Sequence, residues 1–101
     1  MSQTATLILT EDEVRDELSL DSDSLSTERA ISLSQVASDL ILKVTEYDFG
    51  KINNSIAKIT ARTIVYQLFF RKNDTNGVLS SLLNDLKDIA RELKEEGSDH
   101  E

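Results

Sequence analysis

No proline occurs in these 101 residues, and the only glycines are Gly50, Gly77 and Gly97. Proline fixes φ and removes a backbone donor, so a chain without it carries no obligatory helix stop. The pattern that fills the uninterrupted stretches is helical. Leu79, Leu82, Leu83, Leu86, Ile89, Ala90 and Leu93 recur at spacings of three and four. So do Leu33, Val36, Ala37, Leu40, Ile41 and Val44. Each set makes one apolar stripe on a helix. The length is that of one domain with one modest core. The expected class is therefore all-α, a small bundle of about four helices with a long second helix and a buried third helix.

Residues 1–9 read as an N-terminal arm whose Leu7-Ile8-Leu9 patch can pack on the core. Residues 10–94 read as the helical domain and residues 95–101 as a charged, flexible tail. Thr10 and Glu13 have the spacing of a capping box. A short helix is expected over 11–18, with Val14 and Leu18 as its apolar pair. The second helix is expected over 25–46, with Gly50 as the left-handed turn residue after it. The third should start at a cap on Asn53 or Asn54 and reach Lys72. Ala57, Ala61, Ile64 and Leu68 share one of its faces, and Ile52, Ile56, Ile59, Tyr66 and Phe70 another. Apolar residues on both sides make it the expected most buried element. Asn73–Gly77 is a turn, and the fourth helix is expected over 78–94.

Little in the chain suggests catalysis. There is no cysteine, and the single histidine is His100. No glycine-rich phosphate loop occurs. Asp21-Ser22-Asp23-Ser24 begins like a calcium loop, but the sixth position is Ser26 instead of glycine and the twelfth is Ser32 instead of glutamate. No catalytic, cofactor or metal residue is therefore assigned, and the protein is not expected to be an enzyme. A net charge of −8 disfavours wrapping nucleic acid. The longest apolar run, Ile64–Phe70, is too short for a membrane span. The N-terminus has no basic region or apolar signal core, which places synthesis and use in the cytoplasm.

Two features exceed what a monomer needs. On a wheel of the last helix, Lys87, Arg91 and Lys94 gather on one flank of the apolar stripe. Asp85, Asp88, Glu92, Glu95 and Glu96 gather on the other. Asp88 and Arg91 can also pair locally at i,i+3. Two flanks of opposite sign suit a head-to-tail contact between copies, which closes into a ring. On the second helix, Ile31 and Leu42 lie opposite the core stripe, in line with Gln35 and Ser38, as a candidate seam.

The order of short motifs adds a resemblance. Leu9-Thr10-Glu11-Asp12-Glu13-Val14-Arg15 leads into Leu18-Ser19-Leu20-Asp21-Ser22-Asp23. A long helix then ends in Val44-Thr45-Glu46-Tyr47-Asp48-Phe49, and the next in Gln67-Leu68-Phe69-Phe70-Arg71-Lys72-Asn73. Over residues 9–93 this resembles the head–tail connector (adaptor) proteins of long-tailed bacteriophages. The loop Asn73–Gly77 is shorter than in many members. The resemblance implies a structural protein of the virion, at the head–tail interface and assembled in the bacterial host cytoplasm. It implies a ring of about 12 subunits beneath the portal protein. Such a ring extends the DNA channel, lets the genomic double-stranded DNA pass without specific binding, and docks the next head-closure or tail-connector protein. A subunit of that kind can be a monomer in isolation. The resemblance implies that Arg71, Lys72 and Asn73, with the helix after them, face the portal. The other reading weighed is an acidic regulatory protein of phage or bacterial origin that imitates DNA.

Overall fold

The computed structural model describes residues 4–18, 25–72 and 77–98. It is all-α: α1 (Glu11–Leu18), α2 (Thr27–Thr45), α3 (Ser55–Phe70) and α4 (Val78–Ser98), with a single 3-10 turn at Phe49–Lys51. No strand occurs among the described residues, and none of their helices is long and apolar enough to cross a membrane. Residues 19–24 between the first two expected helices, the turn residues Asn73–Asn76 and His100 lie outside the described residues.

Capping chemistry sets the helix starts. The Thr10 N–H donates to Glu13 Oε1 at 3.0 Å and the Glu13 N–H to Thr10 Oγ1 at 3.2 Å, a reciprocal capping box that opens α1. Ser26 accepts from the Arg29 N–H at the start of α2, and Asn54 from the Ala57 N–H at the start of α3. The helix ends differ from the sequence expectation. α2 stops at Glu46, which adopts a left-handed φ of 59° and sends its N–H to the Leu42 carbonyl. Gly50, expected to play that part, sits inside the 3-10 turn. α3 ends in the same way on Arg71, at φ 54°. α4 runs four residues past its expected end, to Ser98, because the added residues include helix-forming glutamates and no breaker stronger than Gly97.

α2 and α3 cross on small residues. Ala30, Ala37, Ala57 and Ala61 are buried, with Ile41, Ile64 and Val65 around them. α1 adds Val14 and Leu18, and α4 adds Leu86 and Ala90. Three buried hydroxyls are satisfied locally: Ser38, Thr45 and Thr60 each donate to the carbonyl four residues back.

The segment before α1 is a docked strap. Ala5, Ile8 and Leu9 are buried while Leu7 faces out. The Ala5 N–H donates to Asp39 Oδ1 and the Ile8 N–H to Ser38 Oγ, while Ser34 Oγ donates to the Leu9 carbonyl at 2.7 Å. Gln35 Nε2 donates to the Ala5 carbonyl. The strap thus occupies Gln35 and Ser38, the middle of the Ile31–Leu42 line. That line was expected to lie opposite the core, yet Ser38 is buried and Leu42 half-buried. Only Ile31 stays well exposed. Val36, expected in the core stripe, is 50% exposed instead. The backbone N–H and C=O groups of the buried strap need polar partners, and the Ser34–Asp39 side of α2 supplies them.

Candidate protein-interaction surfaces

The largest departure from the sequence reading is on α3, whose second apolar side is not covered. Its buried positions, Ala57, Thr60, Ala61, Ile64 and Val65, form one face. At 100° per residue, Ile59, Thr63, Tyr66 and Phe70 fall on the opposite side within about 60° of one another. Ile59 is 52% exposed, Tyr66 40% and Phe70 41%. The Tyr66 and Phe70 ring centroids stand 4.7 Å apart, and Phe70 meets Phe69 edge-on at 5.1 Å. Phe69 in turn carries the Arg29 guanidinium, 5.4 Å from its ring centre. The exposed stripe is therefore an ordered aromatic surface anchored to α2.

α1 lies along one border of that stripe. Lys58 Nζ meets Glu13 Oε2 at 2.8 Å, and Arg62 reaches Asp16 at 3.1 Å and Glu17 at 3.5 Å. The hydrogen bond from Lys58, helped by the Thr10 N–H, holds the Glu13 carboxyl below its ordinary range. The hydrogen bond to Asp16 raises Arg62 further. Glu11 is held down by Arg15, and by Thr27 of α2. The pairs from Lys58 and Arg62 tie α1 to α3.

α4 packs against both α2 and α3. Leu86 and Ala90 are its buried residues, with Leu79, Leu83, Ile89 and Leu93 packed around them. Its cationic flank turns toward the end of α2. Lys94 Nζ donates to the Thr45 carbonyl at 3.3 Å and stands 3.8 Å from Glu46. It thereby places positive charge at the negative end of the α2 dipole. Lys87, Asp88, Arg91, Lys94 and Glu95 line one wall of an open groove of about 480 Å³, and Val44, Thr45 and Glu46 line the other. Asp88 belongs to this groove and pairs with Arg91 at 2.7 Å, so it does not stand with the opposite flank.

The sequence-derived residues thus separate. Lys87, Asp88, Arg91 and Lys94 come together at the α2–α4 groove. Asp85 and Glu92 are exposed on the other flank. Arg71 and Lys72 are exposed at the far end of α3, and Asn73 lies outside the described residues. The exposed apolar residues that sequence reasoning did not single out as surface are Ile59, Tyr66, Phe70 and Val36. Among the described residues no group of histidine, cysteine, aspartate and glutamate is arranged to hold a metal ion. Comparison of the chain with family models, with curated proteins and with solved structures gave no match.

Proposed function

We propose that this chain is a structural head–tail connector subunit. In this reading it assembles as a ring under a phage portal, extends the DNA channel and docks the next connector protein. The observation that supports it best is the exposed Ile59–Tyr66–Phe70 stripe of α3. A chain this small with half-exposed aromatics on a rigid helix has surface to bury against another protein. The order of motifs from Leu9 to Leu93 points to which protein. The net charge of −8 agrees with a channel wall past which DNA slides, since phosphates are repelled.

Negative-stain electron microscopy of the protein mixed with a purified portal from the same phage tests the reading. Added ring density beneath the portal is the expected result. A protein that never joins the portal and remains a strict monomer overturns it.

A further inference from the structure

We draw no further inference here: the strongest candidate, the exposed Ile59–Tyr66–Phe70 stripe on the outer side of α3, is an unpartnered apolar face, and nothing in the structure shows what covers it.

Discussion

The carbonyl of Thr6 stands where a Cβ on Gly50 would be. The strap and the 3-10 turn therefore meet backbone to backbone, and Asp48 closes the contact by accepting from the Thr6 N–H at 3.0 Å and its hydroxyl at 2.8 Å. Gly50 is needed for close approach, and its φ is not in the left-handed region. A side chain there must displace either the strap or the turn.

Gly50→Ala should accordingly destabilise the fold by about 1–3 kcal/mol, the usual cost of overpacking a filled site. Urea denaturation at neutral pH measures it. A variant as stable as the parent would show that the strap shifts freely and is not part of the cooperative unit.

Ser34→Ala removes the hydroxyl that donates to the Leu9 carbonyl inside the core. The carbonyl is left without that donor in a buried place, at a cost of about 1–3 kcal/mol. The neighbouring Ser32 is exposed, so Ser32→Ala should change stability by less than about 0.5 kcal/mol. The difference in denaturant midpoint between the two variants is the measurement.

Glu13 joins the α1 cap to α3, and its pKa is lowered from 4.5 by Lys58 and Thr10. A carboxyl with a folded pKa below its unfolded value stabilises the fold fully above about 4.5. That contribution disappears as pH falls through the lowered folded value. Stability of the parent should therefore decline below pH 4.5 more steeply than that of Glu13→Ala. At pH 7 the variant should be less stable, by roughly 1 kcal/mol for the lost cap. Denaturation curves between pH 7 and pH 3 give both quantities.

The helices and their starts were legible because caps and periodicity are local. Thr10–Glu13 and Asn54 act where the sequence puts them. The placement of apolar residues was less legible, for a physical reason. A wheel of α3 shows two apolar sides, and nothing local says which one a partner helix will cover. Three elements surround only part of α3: α1, tied to its Lys58 and Arg62 by charge, with α2 and α4. The remaining side stays open. The Ile31–Leu42 line was misread for a related reason. Its polar members, Gln35 and Ser38, looked solvent-facing but bond the backbone of a strap that no helical periodicity describes. Gly50 was assigned to a turn because glycine usually serves there, whereas Glu46 took the left-handed position.

Arg91→Glu separates assembly from folding. The change removes the exposed pair with Asp88, which contributes at most about 1 kcal/mol, so the helical content and midpoint of unfolding should stay close to the parent. It also puts a fourth carboxylate in the α2–α4 groove beside Glu46, Asp88 and Glu95. In the proposed ring, a cation on this flank that meets carboxylates of a neighbouring subunit becomes a like charge, so assembly should weaken by roughly tenfold or more. Sedimentation velocity of the parent and of Arg91→Glu, at low and high salt, reads this directly. Equal association of parent and Arg91→Glu would remove the charged flanks of α4 from the contact and leave only the apolar stripe of α3 to account for it.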